Sequence, residues 1–137
     1  MPHKKTVMLI GSGGREHAIA WKLSQSPLLE KTIVLPGSDG IAALPKTACK
    51  TETDFLKAAQ EIKPDLVIIG PEQPLAEGLT DLLEENGFTV FGPTQAAAQL
   101  ESSKIFSKDF MRDEEIPTAH FAACNDFDTA QDIIQNW

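Results

Sequence analysis

A doubly wound parallel α/β sheet is the fold this sequence predicts, and three observations predict it. Short apolar runs alternate with stretches of helical periodicity. The runs are apolar at nearly every position, as in strands covered on both faces. Glycine or proline stands where one kind of stretch gives way to the other.

The strands are expected at Thr6 to Ile10, Thr32 to Leu35 and Leu66 to Ile69, with a fourth at Thr89 to Phe91. Helices are expected at Glu16 to Ser24, Asp54 to Ile62 and Leu79 to Asn86, where apolar side chains recur at three- and four-residue spacing, as in Phe55, Ala58, Ala59 and Ile62. Asp54 is a natural N-cap, and Pro64 and Gly87 close helices ahead of the next strands. Texture changes after Gly92-Pro93-Thr94. "QAAAQLESSKIFSKDFMRDEE" is helical, with Ser102 or Ser103 as an N-cap inside it and Phe106, Phe110 and Met111 as its apolar stripe. "IPTAHFAAC" is extended from Pro117, and a last helix starts at Asp126 or Asp128 and runs to Trp137. With that change of texture the boundary between two domains is expected near Ser102, and because the residues beyond it are too few for a core of their own, the chain is expected to stop inside the second domain.

Composition narrows the function classes. The 137 residues are 42% hydrophobic and 23% charged, with 9 Gly, 9 Pro and no low-complexity tract, as in a globular α/β protein. A net charge of -8, from 12 Lys and Arg against 20 Asp and Glu, repels a nucleic acid backbone unless basic residues cluster. The one basic pair, Lys4-Lys5, reads as a solubilising terminus, so no nucleic acid partner is expected. No apolar stretch reaches the ~18 residues of a membrane span, and the N-terminus lacks a signal-peptide core, so the chain is expected in the cytoplasm and off the membrane. Cys49 and Cys124 sit in no metal or redox spacing and are expected to be buried free thiols.

In open α/β sheets a ligand crevice lies beyond the carboxyl ends of the strands. Three loops rich in Gly or Pro leave such ends: Gly11-Ser12-Gly13-Gly14-Arg15-Glu16, Pro36-Gly37-Ser38-Asp39-Gly40 and Gly70-Pro71-Glu72-Gln73-Pro74-Leu75. In each, backbone N–H groups can approach a ligand closely. A nicotinamide dinucleotide is one reading of the first loop. Against it, Glu16 holds the place of the small residue that a dinucleotide fingerprint carries, and sets a negative charge where a pyrophosphate would sit. Asp39 stands at the distance of a ribose-binding acid but follows Pro36-Gly37 instead of the strand end. Glu72, between two prolines, suits a ribose diol or an amine, or else is a solvated loop glutamate. Arg15 reads as a ligand contact or a surface arginine, and His17 as a ring that caps or packs.

"IGSGGREHAIAWKL", "GPEQPLAEGL", "FGPTQAAAQLESSK" and "SKDFM" followed by "EIPTA" together resemble the phosphoribosylamine-glycine ligases, in order and spacing over nearly the whole chain. The resemblance implies that residues 1–102 are a Rossmann-like, substrate-binding domain that precedes an ATP-grasp domain, and that residues 103–137 are the incomplete start of that ATP-grasp domain. It implies a reaction of purine biosynthesis in which ATP, with Mg2+, phosphorylates glycine and the amine of phosphoribosylamine attacks the acyl phosphate. The 137 residues alone are expected to lack that activity, and the full-length enzyme is expected to be a monomer. Carried over by position, Gly13, Gly14, Arg15, Glu16, Gly37 and Glu72 contact the sugar phosphate, and Lys104 reaches the nucleotide phosphates, with Lys108 one turn further along. The second loop departs from the family's P-G-N-A-G-T, reading Pro36-Gly37-Ser38-Asp39-Gly40-Ile41. Two other readings stand beside this one, a cofactor domain of an oxidoreductase and a free-standing binding module.

Overall fold

The computed structural model describes residues 3–137. Five parallel strands, β1 (Lys5–Gly11), β2 (Leu29–Pro36), β3 (Thr47–Cys49), β4 (Leu66–Ile69) and β5 (Val90–Phe91), form one sheet in the order β3-β2-β1-β4-β5. Around them in chain order come α1 (Gly14–Ser24), α2 (Asp39–Ala42), α3 (Phe55–Ile62), α4 (Glu72–Ala76), α5 (Leu79–Glu85), α6 (Gln95–Ser102), α7 (Lys104–Asp113) and α8 (Phe127–Asn136).

Alternation along the strands builds two cores. Met8, Ile10, Ile33, Leu35, Val67 and Ile69 pack with Ala58 and Ala59 of α3, Leu75 of α4 and Leu79 and Leu83 of α5. Val7, Leu9, Val34 and Ile68 pack with Ala20 of α1 and Ile41 of α2. Successive strand residues face opposite sides, so a strand apolar at every position fills both cores. That is the doubly wound sheet the sequence predicts.

The structure adds three short elements. β3 pairs only with β2, and its Thr47, Ala48 and Cys49 carry no apolar run to mark them. α2 is a single turn capped by Ser38, whose hydroxyl accepts the Ile41 N–H. α4 turns the third loop into a helix over Glu72–Ala76. Its prolines permit this because Pro71 is the N-cap and Pro74 lies in the first turn, where no N–H is required.

The chain divides into two compact units, one ending at Ala98 and one beginning at Gln99. In the second, Ser103 is the N-cap of α7 and accepts the Phe106 N–H, and Asp126 caps α8. Neither helix has a buried residue. The expectation of two buried thiols fails. Cys124 is exposed on the stretch before α8, where nothing packs over it, and Cys49 is half-buried beside Gly37 with its Sγ 3.8 Å from the Ser38 carbonyl oxygen. Among the described residues no helix is long and apolar enough to cross a membrane.

Candidate functional site

The strand order has one reversal. From β1 the chain steps outward through β2 to β3, then returns to β4 on the other side of β1 and steps out to β5. Between the carboxyl ends of β1 and β4 the flanking loops part, and in this fold that switch point is where ligands bind. All three loops picked out in the sequence meet here, stitched by backbone hydrogen bonds. The Gly37 N–H donates to the Gly11 carbonyl and the Gly70 N–H to the Ile10 carbonyl, each at 3.1 Å.

Glu16 sits inside that junction. It is the third residue of α1, its side chain is 5% exposed, and Oε2 accepts the Gly13 N–H at 2.6 Å. Gly13 is the N-cap of α1 and, having no side chain, returns no bond, so this is half of a capping box. The carboxyl lies against two glycines. A Cβ on Gly11 would stand 2.6 Å from the Glu16 Cδ and Cγ, and one on Gly70 would stand 2.7 Å from Cδ and overlap Oε1. Gly11 also has φ of +125°, a conformation side chains rarely adopt. Oε1 has no hydrogen-bond partner and is closed off from solvent; the Arg15 Nε, at 3.7 Å, is an ion-pair neighbour too distant to donate a hydrogen bond.

Arg15 and Glu72 face each other on the outside of the crevice. The Arg15 Nη2 donates to the Glu72 Oε2 at 3.3 Å, and both side chains are more than half exposed. The backbone N–H of Glu72 itself, and then Arg15, hold the Glu72 carboxyl below the usual carboxylate range. Glu72 is the first residue of α4, where the helix dipole also favours a negative charge.

The predicted residues therefore fall into groups. Gly13 and Glu16 help line a cavity of about 450 Å³ whose other walls include Ser12, Leu35, Phe55, Pro71 and Gln73. Arg15 and Glu72 pair outside that wall, Gly14 opens α1, and Gly37, at φ +72°, turns the chain out of β2. His17 is half-buried beside Gly40 of α2, the packing role. The sequence marks Phe55 only as an apolar helix position and Gly11, Gly70 and Gln73 only as members of their loops, and singles out none of them as a site residue. Gly70 had a signal, as a glycine at a strand's end, but nothing in the sequence shows that it faces Glu16.

Lys104 belongs to the second unit, as the first residue of α7. It lines a cavity of about 340 Å³ with Ile105, Lys108, His120 and Phe121. Lys108 is otherwise engaged. Its Nζ donates to the Thr118 hydroxyl at 2.6 Å and the Ala119 carbonyl at 3.3 Å, and lies 5.7 Å from the centre of the Phe121 ring. Among the described residues, Lys104 has no such bond. No group of three or more His, Cys, Asp or Glu side chains able to hold a metal ion occurs among them either.

Residues 5–101 match the family described as phosphoribosylglycinamide synthetase, N domain. Over 126 residues the chain is 47% identical to the phosphoribosylamine–glycine ligase of Caulobacter vibrioides, which covers 90% of this chain and 30% of that protein. It is 49% identical over 120 residues to the ligase of the same name from Escherichia coli K12, covering 84% and 28%. Among solved structures, the phosphoribosylamine–glycine ligase of Thermotoga maritima superposes with a TM-score of 0.72 at 28% identity, over 96% of this chain and 30% of that one. The chain thus spans less than a third of the length of these relatives.

Proposed function

The chain belongs to the phosphoribosylglycinamide synthetase N-domain family, and from that premise we propose that it is the substrate-binding N-terminal part of an ATP-dependent ligase that joins glycine to 5-phosphoribosylamine. The product is glycinamide ribonucleotide, with ADP and phosphate, in the cytoplasm. The observation that carries this reading is the placement of Arg15 and Glu72. Two oppositely charged, exposed side chains meet 3.3 Å apart at the switch point, on connections rich in glycine and proline.

Their chemistry suits a sugar phosphate bearing an amine. Arg15 offers a planar fork of donors to a phosphate or a hydroxyl oxygen, and Glu72, held ionised, accepts from a ribose diol or attracts the amine. Each is the other's partner until a ligand of both polarities replaces the pair. Gly14, at the start of α1, adds a first-turn N–H that has no partner within the helix, and Gly37, at φ +72°, ties the second loop to the end of β1 through its N–H to the Gly11 carbonyl.

ATP, when bound, supplies the phosphoryl group that activates the glycine carboxylate. Lys104 fits a nucleotide phosphate, being a cation without an ion-pair partner among the described residues, next to the apolar faces of Ile105 and Phe121. Among the described residues no group of three or more His, Cys, Asp or Glu side chains offers a site to the magnesium that accompanies ATP.

Ribose 5-phosphate is the stable probe of this reading. Titrated into the 15N-labelled chain, it is expected to shift the amide resonances of Gly14, Arg15, Gly37 and Glu72 in one saturable transition, while a nicotinamide dinucleotide leaves them in place. Shifts from the dinucleotide and none from the sugar phosphate would overturn the proposal in favour of an oxidoreductase cofactor domain.

A further inference from the structure

Glycine turns between a strand and a helix hold phosphates because their N–H groups point at the ligand and nothing else claims them. Here three of the glycine donors around the crevice are spent inside the protein. The Gly13 N–H goes to Glu16, the Gly37 N–H to the Gly11 carbonyl and the Gly70 N–H to the Ile10 carbonyl. The cavity under the turn is lined by Glu16 and Glu77 and by no lysine or arginine. The fold is that of a dinucleotide site, and the donors and charge are the reverse of what one requires.

We infer that Glu16 is the resident anion of this turn: its buried carboxylate occupies the Gly13 donor and the space between Gly11 and Gly70, and so closes the turn to a pyrophosphate while fixing the loops that carry Arg15 and Glu72. Gly11 and Gly70 are the counterpart of that carboxylate, since a methyl group on either collides with it. Glu16 thereby joins the end of β1, the start of α1 and the end of β4. The adjoining Arg15 has its Nε 3.7 Å from Oε1 and its Nη2 3.3 Å from Glu72, so it leaves the junction between two carboxylates. An incoming ligand meets only the outward donors of the first turn and the Arg15 side chain. That is enough for a single phosphate or for sugar hydroxyls, and too little for a pyrophosphate laid along the turn. The inference is independent of the ligase reading, because it concerns what the turn excludes whatever the chain binds.

Variants of the 137-residue chain test it, with inorganic pyrophosphate as the probe and the Gly13 amide resonance as the readout of binding along the turn. Glu16→Gln keeps the shape and removes the charge. The double variant Glu16→Ala with Gly70→Ala removes the carboxylate and puts a methyl group into the space it leaves. The wild-type Gly13 resonance is expected to stay in place, and pyrophosphate is expected to bind at the turn at least about tenfold more tightly in Glu16→Gln, and more tightly again in the double variant, where the Gly13 N–H is free. Gly70→Ala alone is expected to lower the melting temperature, and adding Glu16→Ala to restore part of it. That recovery is a coupling that a merely structural loss at two separate sites would not produce. Equal pyrophosphate binding by wild type and by whichever variant stays folded would overturn the inference. So would a double variant no more stable than the sum of its single changes.

Discussion

The turn after β1 and the loop after β4 leave adjacent strands of one sheet, and each brings a glutamate to the same crevice. Glu16 is buried and Glu72 lies in solvent. The difference comes from what surrounds them. Glu16 is flanked by glycines on both sides of the switch point, so its side chain finds a space with no Cβ and a backbone N–H to accept. Glu72 is flanked by Pro71 and Gln73 at the head of a short helix, and its charge is met by its own N–H and by Arg15. One carboxylate therefore serves the architecture of the site, and the other is available to a ligand. Arg15 touches both.

Gly11→Ala is the change expected to show the buried side of this contrast most strongly. It forces a side chain into φ of +125° and into the Glu16 carboxyl. Overpacking and a strained backbone together are expected to cost about 3 kcal/mol or more in urea unfolding. Adding Glu16→Ala should relieve the collision and leave the backbone strain, so only part of the loss returns. At Gly70, whose φ is not positive, relief should be fuller. Equal rescue at both positions would mean that the glycines answer to backbone conformation alone.

The two glutamates should then separate in stability. Glu16→Ala leaves the Gly13 N–H without its acceptor and opens a void, together worth about 1 to 3 kcal/mol. Glu72→Ala, at an exposed position, should leave the melting temperature where it was. Matching losses from the two substitutions would erase the distinction.

In ligand use the order should invert for Glu72. Placed in a complete ligase, Glu72→Gln is expected to lower kcat/KM for phosphoribosylamine by about tenfold to a hundredfold, since it loses a charged acceptor and keeps the shape. Unchanged kcat/KM with a lowered melting temperature would make Glu72 the structural residue of the two.

How far these roles can be read in the sequence differs along the chain. The sheet is legible because its strands are apolar on both faces and its turns are marked by glycine and proline. β4 appears at the predicted Leu66–Ile69, and α3 begins after its predicted cap Asp54. β3 is hidden because an edge strand with one partner needs no apolar run, and Thr47, Ala48 and Cys49 supply none. α4 is hidden because prolines mark loops unless they fall in the first turn of a helix. Glu16 is visible only as a residue out of place. Its inward turn depends on Gly70, far along the chain, and local sequence carries no record of that contact. The family resemblance assigns Glu16 to the sugar phosphate, whereas the fold places its carboxylate beneath the turn.

The smallest effect concerns the charge state of Glu72. Its carboxyl titrates below the ordinary value of 4.5, first because it accepts its own backbone N–H and then because Arg15 donates to it and attracts it. A lowered value means that the Arg15 pair is fully present above the ordinary carboxylate range and is lost as pH falls through the lowered midpoint. Binding that depends on an ionised Glu72 should therefore be flat through neutral pH and fail only in acid. In Arg15→Ala the midpoint, followed by the Glu72 Cδ resonance, should rise toward 4.5 without reaching it, because the backbone N–H remains. Salt should act in the same direction in the wild type, since both partners are exposed and the ionic part of their attraction is screened. A midpoint that neither Arg15→Ala nor salt moves would show that Arg15 does not hold Glu72 in solution. The arginine would then belong with Glu16 alone, and the crevice would present an unpaired carboxylate to its ligand.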